Sequence, residues 1–323
     1  HLAEALNRMG YPDAAFAVLK NGIHSDLPSY RYQEVYVKDV AGNDSIDVSK
    51  LVTMTTVPVG IELDKALEGE LSALGRLPQL LAEYLTARET AQAEELKAAA
   101  FIFCADHGVA RQGVSAYPPE TTCQMAQNYL LPKGGAANAF SDYAGAKLYV
   151  VDMGMNLPPE PMLPGIIDCR LGSGTGNITE GPAMTREQAL LSLAYGIKLA
   201  QRAHAKGKNV LLPGEMGISN TTAQACLGAV FCGLSPEEAT GRGSAISENR
   251  LQKKLATVRK ALMTNGFLAE SETKASAKGM DALTILARIG GFEFGAMAGL
   301  MLGGASLKMV TILDGANTAA AAL

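Results

Sequence analysis

Apolar residues change their rhythm about a third of the way along the chain. From Asp64 to Lys97 they recur at helical spacing (Leu67, Leu71, Leu74, Leu77, Leu80, Leu81, Tyr84) with charges between, which predicts two helices broken near Pro78. Beyond them stand four short apolar runs, Ala98–Asp106, Ala146–Gly154, Lys208–Glu215 and Lys308–Gly315, separated by long stretches of helical spacing. Continuous apolar runs alternating with helices predict a parallel sheet covered on both faces. The clearest helix spans Arg186 to about Ala205: Thr185 and Gln188 form a capping box, and Gly207 follows the end. Arg250 to about Asn265, closed by Gly266, is another.

Residues 1–57 follow a different grammar and read as an appended segment. An amphipathic stretch near Leu2–Lys20 leads into aromatic alternation over Tyr30–Lys38 and a polar Asp39–Ser49. The predicted organisation is therefore an appended segment over 1–57, part of a small helical domain over 58–97 and a Rossmann-like α/β domain over 98–323. The Ala-rich Ala319–Leu323 reads as an apolar end awaiting further chain or a partner's surface.

Composition narrows the partners. The 323 residues are 48% hydrophobic, enough for a large core, and 28 Lys+Arg against 32 Asp+Glu give a net charge of −4 without a basic block. That balance argues against nucleic acid and for small molecules. Five cysteines form no CxxC pair and the four histidines no zinc pattern, so the expectation is a reduced, cytoplasmic chain with no metal and no cofactor. No run approaches the roughly 20 apolar residues of a bilayer span, and a membrane role is not expected.

Each predicted strand ends in an acid and a glycine: Asp106-His107-Gly108, Asp152-Met153-Gly154, Glu215-Met216-Gly217 and Asp314-Gly315. In an open α/β sheet, ligands lie beyond the carboxyl ends of the strands, so acids placed there by register line one cleft. The alternative is that acids before glycine are turn formers. Glu215 is the strongest candidate, being followed by Asn220-Thr221-Thr222, which suit a helix N-terminus aimed at an anion. His107 is either a general base or a packing residue. Gly172, Gly174 and Gly176 suit a backbone nest for phosphate, as do Gly241-Arg242-Gly243-Ser244 and the following Arg250, Lys253 and Lys254. No Walker A loop or dinucleotide fingerprint is present, which sets a dehydrogenase aside.

Five motifs in order, Cys104-Ala105-Asp106-His107-Gly108-Val109, Gly174-Thr175-Gly176-Asn177-Ile178 through Met184, Gly214-Glu215-Met216-Gly217 through Thr222, Gly290-Gly291-Phe292-Glu293 and Leu313-Asp314-Gly315, carry a resemblance. Over about residues 60–323 the chain resembles the nicotinate-nucleotide:dimethylbenzimidazole phosphoribosyltransferase family. The resemblance implies a dimer that transfers phosphoribose from nicotinate mononucleotide to a cobamide lower-ligand base, with inversion to an α-glycosidic product. It implies Glu215 as the catalytic carboxylate and Gly217 beside it at the ribose-phosphate site, with Lys254 on the phosphate and Gly174, Gly176 and Asn177 in the Gly-rich loop. Asn220, Thr221 and Asp314 complete the expected substrate-binding set.

Three departures from the family pattern shape the expectation further. Where the family has Lys-Pro-x-Gly-Ser-Leu-Gly, this chain has Gly69-Glu70-Leu71-Ser72-Ala73-Leu74-Gly75. Base-pocket positions occupied in benzimidazole-activating members by Ser, Gln and Leu are here Tyr117, Met125 and Met216. A narrower, more apolar pocket suits a single ring with one hydroxyl, so the chain is similar to the base-binding subunit of the phenol/p-cresol-activating branch, whose members pair with a homologous subunit. A benzimidazole-type base and a homodimer are the alternatives. The family's C-terminal Gly-Glu-Gly-x-Gly stretch, which supplies a general base, has no counterpart in this sequence, leaving Glu215, a partner or further chain to supply it. The competing expectation is a non-catalytic subunit of a pseudo-symmetric heterodimer.

Overall fold

The computed structural model describes residues 34–39, 42–47, 83–85, 87–88, 95–156, 163–243 and 246–323. Its centre is a five-stranded, wholly parallel sheet of β3 (Ala98–Ala105), β4 (Lys147–Gly154), β5 (Ile167–Asp168), β6 (Val210–Met216) and β7 (Val310–Thr311), in the order β5-β4-β3-β6-β7. Strand order reverses between β3 and β6, which makes their carboxyl ends the topological switch point. The strand pair is in register over Ala98↔Val210 through Cys104↔Met216, so Phe103 stands opposite Glu215.

The sheet is buried on both faces because β3 is apolar at every position. Phe101, Phe103 and Ala105 join the larger core, together with Val151, Met153 and Leu211. Ile102 and Cys104 point the other way, onto Cys123 and Ala126 of α1 (Thr121–Leu130), which is followed by α2 (Ala136–Tyr143). Alternation of period two within a continuously apolar run thus feeds two layers of helix.

The larger layer contains α3 (Arg186–Ala205), α4 (Asn220–Cys232), α5 (Pro236–Ala239), α6 (Glu248–Thr264), α7 (Ala282–Ile289) and α8 (Phe292–Ser306), with α9 (Ala316–Ala322) at its edge. The predicted capping box of α3 is present, Thr185 and Gln188 each accepting from the other's backbone N–H. Helix α6 closes through Asn265 and the left-handed Gly266, φ 82°. Among the described residues no helix is long and apolar enough to cross a membrane.

The closest helix contact is between α3 and α8. A methyl group at Gly196 would overlap the Ala296 carbonyl, one at Gly295 the Ser192 hydroxyl, and one at Gly299 the Leu193 carbonyl. Glycine spacing along α8 therefore lets two backbones touch, and it fixes the height at which α8 begins, beneath the switch point.

Several expectations need correction. The strand predicted over Lys308–Gly315 pairs only through Val310–Thr311, because Lys308 adopts a left-handed φ of 58° and the chain leaves the sheet by Ile312. The short edge strand β5 was not expected; two residues carry no periodicity. The polar stretch after Lys38, which carried no strand expectation, contains one: β1 (Glu34–Asp39) and β2 (Gly42–Asp47) pair antiparallel from Glu34↔Asp47 to Asp39↔Gly42. The Ala-rich end is the helix α9, with Ala320 in the larger core. The amphipathic stretch near Leu2–Lys20 lies outside the described residues, as does most of Asp64–Lys97, of which 83–85 and 87 are helical.

Gly299→Ala tests the helix contact. It should lower stability by about 1–3 kcal/mol in urea unfolding, the range for overpacking. Gly228→Ala on α4, where the nearest atom to an added methyl is Gln224 Nε2 at 3.8 Å, should be neutral or gain up to about 1 kcal/mol of helix propensity.

Candidate functional site

The ends of β3 and β6 and the N-termini of α4, α8 and α9 converge at the switch point. Glu215, at the end of β6, is held at both carboxylate oxygens: Asn317 Nδ2 of α9 donates to Oε1 at 2.7 Å, and Asn220 Nδ2 of α4 donates to Oε2. Asn220 can fold back because Ser219 is left-handed (φ 74°), turning the chain sharply from β6 into α4. Gly217 lies under this turn. A methyl there would sit 2.5 Å from the Ala105 carbonyl oxygen and 3.4 Å from His107 Cδ2. Burial pushes the Glu215 carboxyl above its ordinary range; the Asn317 hydrogen bond opposes this, the neighbouring Glu293 adds to it, and His107 opposes it.

Behind Glu215 is a buried ion pair. His107 Nε2 and Glu293 Oε1 are 2.6 Å apart, with side chains 1% and 0% exposed. Gly291 makes room for them, since a methyl there would lie 2.5 Å from His107 Cε1. Burial by itself would depress the imidazole, but the Glu293 carboxylate outweighs it and the net direction is upward. Asp106 accepts from the Asn156 backbone N–H at 2.8 Å, and its carboxyl is also raised by burial. Two carboxylate oxygens here, Asp106 Oδ1 and Glu293 Oε2, are buried without a hydrogen-bond partner, as is Asn317 Oδ1. Buried acceptors of this kind take a partner from ordered water, an ion or a ligand group.

The second half of the site lies across α4. Lys254 is 2% exposed on the inner face of α6, and its Nζ donates to Thr221 Oγ1 at 2.8 Å and to the Gly241 carbonyl at 3.0 Å. Of its three N–H donors, one is left for another acceptor. Burial depresses the ammonium to about 8. A methyl at Gly243, φ 55°, would lie 3.0 Å from Thr221 Oγ1 and 3.4 Å from Lys254 Nζ, so this loop approaches both. Lys254, the first turn of α4 and residues 241–243 thus form one cationic corner beside Glu215.

Other expectations fare differently. The Gly-rich loop does not offer its central amides as a nest: the N–H groups of Gly174, Thr175 and Gly176 donate to the carbonyls of Gly154, Asp106 and Ala183 at 3.1, 2.9 and 2.7 Å. The glycines instead allow close packing, since a methyl at Gly176 would lie 2.6 Å from the Pro182 carbonyl oxygen. Asn177 is engaged locally, accepting from Thr179 and donating to Glu180 Oε1 at 2.7 Å. Nor do all four strand-end acids line one cleft. Asp152 accepts from the N–H groups of Gly154 and Met155, both at 2.9 Å, and serves its own turn. Asp314 is exposed beyond β7, its Oδ1 accepting from Thr318 Oγ1 at 3.4 Å. Met216 packs half-buried against the α1 side of the sheet and Met125 is half-buried on α1, but Tyr117 is 56% exposed in the turn before α1, not buried in a pocket wall.

Two site residues escaped sequence reading as candidates. Glu293 is the sole charge in the otherwise apolar, glycine-rich Phe292–Ser306 helix, and that isolation was an available signal. Asn317 sits in an Ala-rich end with no pattern to distinguish it. Among the described residues no group of three or more His, Cys, Asp or Glu is arranged to hold a metal ion.

Comparison with known proteins places these features in a lineage. A family model described as Phosphoribosyltransferase matches residues 62–323. The chain is 39% identical over 275 residues to the nicotinate-nucleotide–dimethylbenzimidazole phosphoribosyltransferase of Chlorobaculum tepidum, covering 82% of this chain and 74% of that protein. It is 41% identical over 254 residues to the enzyme of that name from Cupriavidus taiwanensis, covering 78% and 69%. The crystal structure of the Thermus thermophilus enzyme of that name superposes with a TM-score of 0.69 at 35% identity, covering 85% of this chain and 75% of that one.

Asp152 gives this part of the molecule a pH signature of its own. Burial raises its carboxyl to about 6, against opposition from its two backbone N–H bonds and Arg170. A folded-state value above the unfolded one means that ionisation costs the fold, so stability falls as pH rises from about 4 through 6, by up to about 3 kcal/mol. Asp152→Asn keeps an acceptor for both amides without the charge. Its urea midpoint should match the parent near pH 4 and exceed it at pH 7.

Proposed function

Because the chain belongs to the nicotinate-nucleotide–dimethylbenzimidazole phosphoribosyltransferase family, we propose that it moves phosphoribose from nicotinate mononucleotide to a cobamide lower-ligand base, releasing nicotinate and giving an α-linked ribotide. The observation that carries the reading is the anionic cluster of Asp106, Glu215 and Glu293 set beside the cationic corner of Lys254 and the α4 N-terminus. Nicotinate mononucleotide carries a pyridinium on its sugar and a phosphate at the other end, and the two halves of the site match those charges in that order.

Lys254 and the positive end of α4 hold the phosphate, although the Asn220 and Thr222 amides already donate to the Gly217 and Ser219 carbonyls, and Glu215 lies along the ribose. When the C–N bond breaks, its electron pair goes to the pyridinium nitrogen, nicotinate leaves, and positive charge passes to the sugar. A fixed carboxylate in a water-poor site stabilises that charge more than it stabilises the ground state. The acceptor then adds to the opposite face, and its proton passes to a general base, for which the sequence names Glu215 or a group supplied by a partner or by further chain. Asn220 and Asn317 keep Glu215 ionised and aimed by donating to both oxygens.

For the acceptor we propose phenol or p-cresol, joined through oxygen, with a homologous subunit as partner. Met125 and Met216 support a pocket without hydrogen-bonding side chains at two positions, and Tyr117 offers a phenolic group at its exposed rim. A benzimidazole-type base is the alternative that the relatives' names favour. Incubation with nicotinate mononucleotide and equal phenol and dimethylbenzimidazole, with and without a homologous subunit, separates the two by product; benzimidazole ribotide alone overturns the phenol assignment.

Two variants test the division of labour. Glu215→Gln should lower kcat at least about 100-fold with little change in KM, the pattern of an interaction made in the transition state. Lys254→Met should raise KM for nicotinate mononucleotide at least about tenfold. In the parent, KM should also climb as pH passes about 8, where the ammonium loses its proton, and that climb should vanish in Lys254→Met.

A further inference from the structure

The acceptor's proton needs a base, and Glu215 is poorly placed to be one: Asn317 and Asn220 donate to both of its oxygens, and its charge is what the cationic sugar requires. Asp106 is a second carboxylate at the same crevice, with an oxygen to spare. The end of β3 abuts the Glu215 turn, since a methyl at Gly217 would lie 2.5 Å from the Ala105 carbonyl oxygen. The Asp106 N–H donates to the Gly154 carbonyl at 3.0 Å, so the β3–β4 ladder runs one residue past Ala105. Ile102 and Cys104 face α1, and the same alternation carries the Asp106 side chain to that side. There it meets the first turn of α1. The Thr122 hydroxyl, which accepts from the Ile218 N–H at 3.1 Å, helps to stabilise the Asp106 charge, and the neighbouring Cys123 thiol feels that charge. Met125 follows Thr122 by three positions on α1, and Met216 stands opposite Cys104 across the β3–β6 ladder. Asp106 therefore lies at the inner end of the wall assigned to the acceptor.

The two oxygens of this carboxyl are unequal. Oδ2 accepts from the Asn156 N–H at 2.8 Å, whereas Oδ1 is buried without a hydrogen-bond partner. Burial raises the Asp106 carboxyl against the Asn156 N–H, Thr122 and His107, and Glu293 adds to the rise. Its titratable neighbours are thus His107 beside it in the chain, Glu293 from α8, Cys123 from α1 and Cys104 from its own strand. A carboxylate raised in this way is a stronger base than a solvated one, which moves it toward a phenol whose acidity, like that of Tyr, lies at about 10. The other acids nearby are committed elsewhere, Glu293 to His107 and Asp152 to its own turn.

We propose that Asp106 is the general base of the transfer reaction, taking the acceptor's proton at Oδ1, directly or through one ordered water. The inference rests on the transfer reading of the preceding section. As the acceptor oxygen bonds to the sugar carbon its O–H bond breaks, the bonding pair stays on that oxygen, and the proton passes to Asp106, which returns it to solvent once the products leave. The C–N pair has gone to nicotinate, so charges and atoms balance. Two carboxylates divide the work: Glu215 stays charged to face the sugar, and Asp106 changes charge to serve the acceptor.

The test compares acceptors of different acidity in the full chain, with a homologous subunit present wherever turnover needs one. Asp106→Asn keeps an acceptor oxygen for the Asn156 N–H and removes the base. With phenol at pH 8 its kcat should fall at least about 100-fold, the scale of general-base catalysis. With 4-nitrophenol, a far stronger acid that is mostly ionised at that pH, the loss should shrink to less than about tenfold, because no proton remains to be taken. Glu215→Gln, which acts on the sugar, should lose the same factor with both acceptors. Equal losses in Asp106→Asn mean a packing or purely electrostatic role and overturn the proposal, as does an acidity-dependent loss in Glu215→Gln in its place. Single-turnover rates of the unmodified enzyme give a reading that needs no variant. Transfer to phenol should be slower in heavy water and transfer to ionised 4-nitrophenol should not; equal phenol rates in the two solvents overturn the proposal even if Asp106→Asn folds poorly. If only benzimidazoles accept phosphoribose, the phenol assignment falls by itself, and 5,6-dimethylbenzimidazole and the more acidic 5-nitrobenzimidazole take the places of the two phenols, with the smaller loss again expected for the stronger acid. An enzyme that transfers to no acceptor overturns the transfer reading together with the role given to Asp106.

Discussion

Everything at the switch point depends on how closely α8 lies against α3. The two helices touch backbone to backbone because Gly196, Gly295 and Gly299 have no side chains to hold them apart. With ordinary residues at these positions the axes would separate toward the usual spacing of about 8–10 Å or beyond, and the start of α8 would move with them. Glu293 occupies the first turn of that helix. Its 2.6 Å contact with His107 has little tolerance, since a displacement of an ångström would turn a charge-assisted hydrogen bond into two buried, unpaired groups. Packing in the interior of the larger layer is thus converted into electrostatics at the edge of the sheet.

That electrostatic arrangement is costly without a ligand. Asp106, Glu215 and Glu293 bring three carboxyls together against one imidazole, and two of their oxygens have no partner. Burial raises Glu215 and Asp106, the usual response of acids removed from water. Such a site is destabilised until something positive enters it, and the donor substrate of the family brings a pyridinium. The same logic applies with opposite sign at Lys254, whose ammonium is depressed by burial and becomes better satisfied when a phosphate takes its remaining donor. In the reading proposed above, the two ends of one molecule relieve the strain at the two halves.

The sheet and its long helices were readable from sequence because their signals are local. Continuous apolar runs marked β3, β4 and β6, and the Thr185–Gln188 box marked α3 to the residue. Glu215 and the α4 N-terminus were readable as candidates for the same reason, each belonging to a short stretch with its own grammar, whereas Lys254 stood out from Arg250 and Lys253 only through the family resemblance. What escaped was set by distance. The hydrogen bond between Asn317 and Glu215 spans 102 positions, and the His107–Glu293 contact spans 186, so neither leaves a trace in spacing. The Gly-rich loop failed in a more instructive way. Its glycines were correctly seen as allowing close backbone approach, but what approaches is the protein's own carbonyls, and glycine spacing cannot tell a self-contact from an anion site. An acid before glycine likewise reads the same whether it caps its own turn, as Asp152 does, or faces a cleft.

The two walls of the crevice are built from opposite materials. On the α8 side Gly217 and Gly291 are held against backbone or the buried pair with no spare volume, so any larger side chain collides. On the α1 side stand Met125 and Met216, unbranched and adaptable, with Tyr117 exposed beyond them. Substitution therefore has very different prospects on the two walls: on one an added side chain meets packed atoms, on the other it meets adaptable neighbours. If Glu215 serves the chemistry and Met216 the acceptor, as proposed, the line between what must stay and what can change runs along the single strand β6, between two adjacent residues.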